Sequence, residues 1–460
     1  MHRLALALAA ASLPTFAFAQ AAGPQTPATL EASADAALTD DVLAWDFVEG
    51  ITTEVGPRQA GTEAEKRGRD WAVAWLNANG FANVADEPFE MDTWVRGTET
   101  AEIVSPYPQP FHVAALGTSA STGNRGITAE VVEFDSVAAL QAAPEGSLKG
   151  KIAYISNNMT PTQDGSQYGF AGPARWVGAG IAASKGAVAS VIKSVGTDYH
   201  RNPHVGGTSF PEGVKPIPAG ALSNPDAANL ERMFDRAGDT PITMKLVLTP
   251  RDLGTTTSGN VVGEIVGRDP SLPPVLVACH IDSWDLGTGA IDDGAGCGIV
   301  AAAAKHAAAA GQPLRTIRVL MAGAEETGLW GSEAYSKAHI DEPIAVGLES
   351  DFGADRIWKF ESNFAKSNPD LHKRIAAAVA RFGVSTGTGV ATGGADINIV
   401  RDQNGAIIDL SQDGTRYFDL HHTPDDTLDK IDPEQLRQNV AVWTQVVGLL
   451  ANEPGPIKGQ

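Results

Sequence analysis

Between residues 280 and 296 the chain reads HIDSWDLGTGAIDDGAG, one histidine, four aspartates and four glycines in seventeen positions. Two chemistries use such a stretch: glycines after a strand can cradle a phosphate, and histidine with carboxylates can hold metal ions. A dinucleotide loop needs GxGxxG spacing with no acid facing the pyrophosphate. Gly294, Gly296 and Gly298 have the wrong spacing, they follow Asp292 and Asp293, and no Walker lysine comes after them. The metal reading fits better, because neutral imidazole and carboxylate oxygen suit zinc when one position stays open for water or substrate. His-x-Asp on extended chain puts both side chains on one side, so Asp282 can orient the imidazole of His280 from behind. Gly287, Gly289, Gly294 and Gly296 then let the backbone bend tightly enough to bring Asp292 back under His280, twelve residues on.

Further acids and histidines stand in MAGAEETGLWGSEAY (Glu325, Glu326), LESDFG (Asp351) and DLHHTPDDT (His421, His422). Singly these are bland, since a Glu-Glu pair is usually a solvated face or a helix first turn. Their order and their placement carry the signal.

The elements that would position them begin near residue 253, where strand and helix patterns alternate. Strands at 275–279, 316–321 and 344–348 and helices at 298–310, 333–339, 371–382 and 433–450 predict an α/β fold with a mostly parallel central sheet covered by helices. His280 and Asp282, Glu325 and Glu326, and Asp351 then follow the carboxyl ends of strands, where ligands collect in such sheets. Upstream, Thr62 as N-cap and Gly80 as C-cap bracket an amphipathic helix carrying Trp71, Val73, Trp75 and Leu76, and residues 89–95 alternate as a strand. Between 123 and 252, strands at 151–155 and 187–192 and a helix at 179–185 sit among glycines and prolines and predict a compact inserted domain. The division is a signal peptide over 1–19, a disordered leader over 20–38, a first catalytic part over 39–122, the insert over 123–252 and the second catalytic part over 253–453.

The series His280, Asp292, Glu325-Glu326, Asp351, His422 resembles the co-catalytic dizinc aminopeptidase family, which also includes glutamate carboxypeptidase and the transferrin-receptor ectodomain. The resemblance runs from about residue 40 to 450, and GKIAYI, AASKGAVASVIKSV and NPHVGG in the insert resemble a small protease-associated-type domain of that family. It implies a zinc-exopeptidase, phosphorylase/hydrolase-like fold and two Zn2+. It also implies site roles: Asp292 bridging both ions, His280 and Asp351 completing one, Glu326 and His422 the other, Glu325 as general base and Asp282 behind the first histidine. His421 stands where some relatives carry an oxyanion-steadying tyrosine. The expected function is a dizinc exopeptidase acting on dipeptides or short peptides with a free amino terminus. A non-catalytic receptor on the same fold predicts damaged ligands, and none is substituted. In the other dizinc carboxypeptidase family the extra domain follows the first ligands, whereas here it precedes His280.

His204 and Tyr199 either reach over the site toward a substrate end or are solvated loop residues, the commoner case for an isolated loop histidine, and Trp284 and Trp330 either line a pocket or pack under the sheet. Asp285, Asp293, Asp425 and Asp426 have no assigned task beyond capping, turns or support of the ligands.

The net charge of −21 over 460 residues disfavours nucleic acid and anionic membrane surfaces as partners. Residues 1–19, MHRLALALAAASLPTFAFA, read as a signal peptide cleaved before Gln20, hence a secreted or periplasmic protein. The two cysteines, Cys279 and Cys297, are either paired or two buried thiols. Relatives suggest a homodimer, although no apolar stripe marks its interface.

Overall fold

The computed structural model describes residues 23–459, and the expected signal peptide lies outside them. Eight strands form the first sheet, in the order Ala82–Val95, Arg251–Ile265, Ile317–Ala322, Val275–His280, Val346–Glu349, Ala406–Gln412, Ile357–Ser362 and Ser385–Thr386. The middle four are mutually parallel, and antiparallel pairs flank them on both sides. Val275–His280 is buried along its whole length, as a central strand under helices must be.

The helix Ala295–Ala309 packs close to this sheet because its residues are small. On its other side it meets the helix Leu43–Gly50 as closely, since a Cβ on Gly298 would lie 2.7 Å from the Ala44 carbonyl oxygen. Pro433–Ala451 covers the same core. The predicted amphipathic helix is Glu63–Ala78, capped by Thr62, whose hydroxyl accepts from the Glu65 amide.

Two expectations need correction. Residues 27–38, placed in a disordered leader, belong to the helix Pro27–Asp40, with Thr26 as N-cap and Leu30, Ala34 and Ala37 buried on one face. Its Ala, Thr and Pro content resembles a linker, and only the spacing of small apolar residues betrays a helix. The second correction concerns where the insert begins. Ala82–Val95 and Arg251–Ile265 pair antiparallel along almost their whole length, and all the chain between them builds a second sheet. Glu99–Ser105 and Gln109–Phe111 join that sheet through Thr243–Leu248, so it takes in residues well before 123. Its parallel centre is Ile127–Phe134, Ile152–Ile155, Ala189–Lys193 and Ala219–Leu222.

Candidate metal centre

His280 ends the strand Val275–His280 and has Ile281 hydrogen-bonded across to Ala322 on the neighbouring strand. The chain then loops out and returns through an irregular turn, Ala290–Gly294, in which Asp292 (φ −135°, ψ 88°) and Asp293 (φ −129°, ψ 37°) leave helical geometry and the peptide between them is cis. This return puts Asp292 Oδ1 3.0 Å from His280 Nε2, whose other carboxylate neighbour, Asp351 Oδ1, is at 3.4 Å. Asp292 Oδ2 faces the opposite way, 3.2 Å from His422 Nε2, and that nitrogen lies 2.9 Å from Glu326 Oε2. One carboxylate therefore stands between two His-carboxylate pairs. Each pair with its share of Asp292 is a three-ligand set of the kind that leaves a coordination position open.

The donor set fits cations. Asp292 Oδ2 and Glu326 Oε1 are buried and accept no hydrogen bond, an arrangement that costs energy unless a cation lies against it. Burial would raise the Asp292 carboxyl, yet the His280 hydrogen bond and the imidazoles of His422 and His421 beside it hold it well below the usual range. Burial together with neighbouring carboxylates raises Asp351, Glu326 and, most strongly, Glu325. Burial alone would lower the two ligand imidazoles, but the carboxylates around them push His280 and His422 well above the ordinary histidine value. His421 goes the other way: burial and the adjoining His422 hold it well below that value. Its ring stacks on His422 at 3.5 Å, with Nε2 3.6 Å from Asp292 Oδ2 and Nδ1 unpartnered. The carboxylate of Glu325 makes no hydrogen bond or ion pair with any described residue, although its backbone is firmly held.

That backbone is held by Asp282, which does more than stand behind a histidine. Its Oδ1 accepts from the Glu325 amide (3.1 Å) and its Oδ2 from the Glu326 amide (3.3 Å), so one aspartate joins the first ligand loop to the Glu-Glu loop. His280 Nδ1 is nearer to the Asp282 carbonyl oxygen, 3.1 Å, than to its carboxylate, 3.6 Å. Asp293 accepts from the His280 amide (3.1 Å) and the Gly296 amide (3.0 Å) and so fastens strand end to helix start. A Cβ on Gly296 would fall 2.1 Å from the Ser350 carbonyl and the Asp293 carboxylate, so close approach explains this glycine. A positive φ of 62° explains Gly289. Cys279 and Cys297 form a disulfide across the same junction.

Two supports hold this loop, of which Arg58 escaped the sequence reading and Asp426 stood in it only as a residue for capping, turns or support. Arg58, wholly buried, donates to the carbonyls of Gly56, Ile281, Thr288 and Gly289 and thereby pins the glycine-rich loop. Asp426 takes the amides of Ala290 and Ile291, each at 2.7 Å, and sets the turn that presents Asp292. Asp285 lies bidentate on Arg96, and Asp425 accepts from Asn202 (2.8 Å) with His200 Nδ1 3.1 Å away; neither points into the site.

The centre opens on a cleft of about 680 Å³. Asp292, Glu325 and Glu326 form its floor, while Arg175, Trp176 and Thr208 approach from the second sheet. His204 is not among its walls. It is wholly buried, with both ring nitrogens engaged, so it neither overhangs the site nor lies in solvent, and Tyr199, 82% exposed, is the solvated one. Trp284 is buried against Ala114 and Val205, tilted beside His422, and Trp330 stands at the surface.

Comparison with known proteins follows this geometry. The model for peptidase family M28 matches residues 260–447. Carboxypeptidase Q of Bos taurus is 31% identical over 405 residues, 87% of this chain and 84% of that relative. The Mus musculus enzyme is 32% identical over 410 residues with the same coverage. A solved peptidase M28 precursor from Shewanella amazonensis SB2B is 43% identical with a TM-score of 0.89, covering 94% of this chain and 98% of that one. BSAP, a zinc aminopeptidase from Bacillus subtilis, shares the fold at 20% identity, TM-score 0.62, over 89% and 95% of the two chains.

Proposed function

The chain belongs to peptidase family M28, and from that premise we propose that it is a dizinc exopeptidase hydrolysing dipeptides and short peptides with a free amino terminus. What carries this reading is Asp292, whose two oxygens face two separate His-carboxylate pairs. His280 and Asp351 would hold one ion, Glu326 and His422 the other, with Asp292 offering an oxygen to each. Bound there, two zinc ions supply Lewis acidity that polarises the peptide carbonyl and makes water acidic enough to be deprotonated near neutral pH.

The chain's own groups do the rest. Glu325, half-buried at the cleft floor and uncommitted, takes a proton from the attacking water as its oxygen bonds to the carbonyl carbon. It passes that proton to the amine as the C–N bond breaks. Burial raises its carboxyl toward the range in which a general base works best. Asp282 keeps Glu325 and Glu326 in place through their amides. His421, kept neutral by burial, has one N–H to offer the oxygen that gains charge.

The unit built on the second sheet is a protease-associated-type insert that roofs the cleft. The disulfide favours an oxidising compartment, in keeping with export to the periplasm or exterior. No helix among the described residues is long and apolar enough to cross a membrane. Resemblance to relatives extends to a homodimer.

Glu325→Gln separates chemistry from metal binding. Metal analysis should find about two zinc ions in both proteins, and a dipeptide panel should show kcat/KM lower by a factor of about 10²–10⁴ in the variant. Full activity in the variant, or a wild type without metal, sinks the mechanism.

A further inference from the structure

We infer that the metal centre is built by both sheets together, with His204 of the second-sheet unit as the positioning residue for the His421-His422 half. The inference rests on the reading of His422 as a ligand.

His422 adopts φ 62°, a left-handed conformation that a side chain with a Cβ takes only when its surroundings impose it. The chain around it lies in a loop without a strand partner of its own, and what holds it from the second-sheet unit comes from residues 194–205 and from Arg175, whose Nη1 donates to the Val205 carbonyl and lies 3.2 Å from His422 Nδ1. His204 Nδ1 meets the His421 carbonyl oxygen at 2.8 Å, and since that oxygen only accepts, the ring donates. The Val205 amide donates to the His422 carbonyl at 3.1 Å, and His422 Nδ1 lies 3.0 Å from the Val205 carbonyl oxygen. With its Nδ1 proton committed there, the His422 ring turns Nε2 toward Asp292 and Glu326, so Nε2 is the nitrogen that would bind a metal in place of its proton. Four residues before His422, the Phe418 carbonyl accepts from the Thr197 amide (3.0 Å), and the Thr197 hydroxyl donates to Asp419 at 2.6 Å.

His204 is itself locked. Its Nε2 faces Asp198 Oδ1 at 2.6 Å, its amide donates to the Ser194 hydroxyl, and Asn224 donates to the same aspartate. Gly196 lies flat on the ring, where a Cβ would come within 2.2 Å. A wholly buried histidine with no face on the cleft, wedged between a carboxylate of its own unit and a carbonyl of the other, has one readable task, to fix where that carbonyl sits. The other half of the centre needs no such help, because His280 is fastened by Asp293 and Asp282 within the first sheet's own loops. Loosening the clamp should therefore weaken one ion and spare the other.

Asparagine can place its amide nitrogen near the position of Nδ1, and glutamine near that of Nε2. His204→Asn keeps the donor to His421 and drops Asp198, whereas His204→Gln does the reverse. Zinc titration of the metal-free full-length proteins, followed by calorimetry with metal content measured in parallel, should give two ions with wild-type affinities for His204→Asn. His204→Gln should bind the first ion as wild type and the second about tenfold or more weaker, with kcat falling and KM little changed. Thr197→Val, which removes only the hydroxyl on Asp419, should shift the second ion in the same direction by less, and serves alone if His204→Gln does not fold. Equal behaviour of the Asn and Gln variants, equal weakening of both ions, or an unchanged second ion in Thr197→Val where the Gln variant is unfolded, overturns the clamp. A wild type that holds fewer than two ions overturns the ligand assignment beneath it instead.

Discussion

Glu65 is a carboxyl that the fold prefers uncharged. It is wholly buried in the first turn of Glu63–Ala78, where Oε2 accepts from the Gly61 amide at 2.8 Å and Oε1 from the Ser258 hydroxyl, with Arg69 Nε 3.7 Å away. Burial, reinforced by the charge of Asp282, raises its pKa from 4.5 to about 7. A folded-state value above the unfolded one means that the neutral group's stabilising share is complete below pH 4.5 and is lost as pH rises toward 7. A rise from 4.5 to about 7 corresponds to roughly 3 kcal/mol. Glu65→Gln stays neutral and keeps the acceptor, so it should gain stability over wild type steadily between pH 4.5 and 7.5; parallel melting curves across that range would refute the assignment. Residues of this kind were invisible in the sequence. The proposed ligands His280, Asp292, Glu326, Asp351 and His422 could be picked out because chain order and strand ends locate them. Glu65 and Arg58 were not, because their partners are backbone amides, carbonyls and hydroxyls up to 231 residues away, as between Arg58 and the Gly289 carbonyl. Asp285 and Asp293, left without a task by sequence, prove to serve Arg96 and the His280 amide.

At the scale of elements, the junction of Val275–His280 with Ala295–Ala309 bears the whole first ligand loop, and the disulfide closes it across 18 residues. Sequence alone could not choose between a bond and two thiols, since the choice depends on how closely the loop brings strand end and helix start together. Cross-linking a loop of that length restricts the unfolded chain by about 3 kcal/mol in the chain-entropy account. Cys279→Ser with Cys297→Ser should therefore lower the melting temperature of the metal-free protein by several degrees, and an unchanged melting temperature would show that the loop is held by Arg58 and Asp426 alone. The strands and helices around this junction were readable because long apolar runs and 3.6-residue periodicity survive local noise. Pro27–Asp40 was not, since its buried face is mostly alanine, and Glu99–Ser105 was not, since only Ala101 and Ile103 mark its buried face and its partner lies some 145 residues on.

For the whole molecule, the paired strands Ala82–Val95 and Arg251–Ile265 carry the second sheet away from the first and return the chain to it, so the cleft lies between two bodies joined by a stem and by the His204 clamp. Acids on its floor, Asp292, Glu325, Glu326 and Asp351, favour a protonated amine, and Arg175 and Trp176 close the opposite side. A volume of about 680 Å³ is within the range that encloses a drug-sized molecule, the bulk of two or three amino-acid residues. A longer peptide must leave the cleft past the second sheet, where each further residue adds ordering cost without a surface to repay it. Hydrolysis of an alanine-based series should thus be fastest for dipeptides and tripeptides, with kcat/KM falling by about tenfold or more once the chain exceeds roughly five residues, and with blocked amino termini cleaved more slowly at every length. A flat profile from two to ten residues would mean that the second sheet does not limit access, and equal rates on blocked and free peptides would remove the floor carboxylates from substrate recognition.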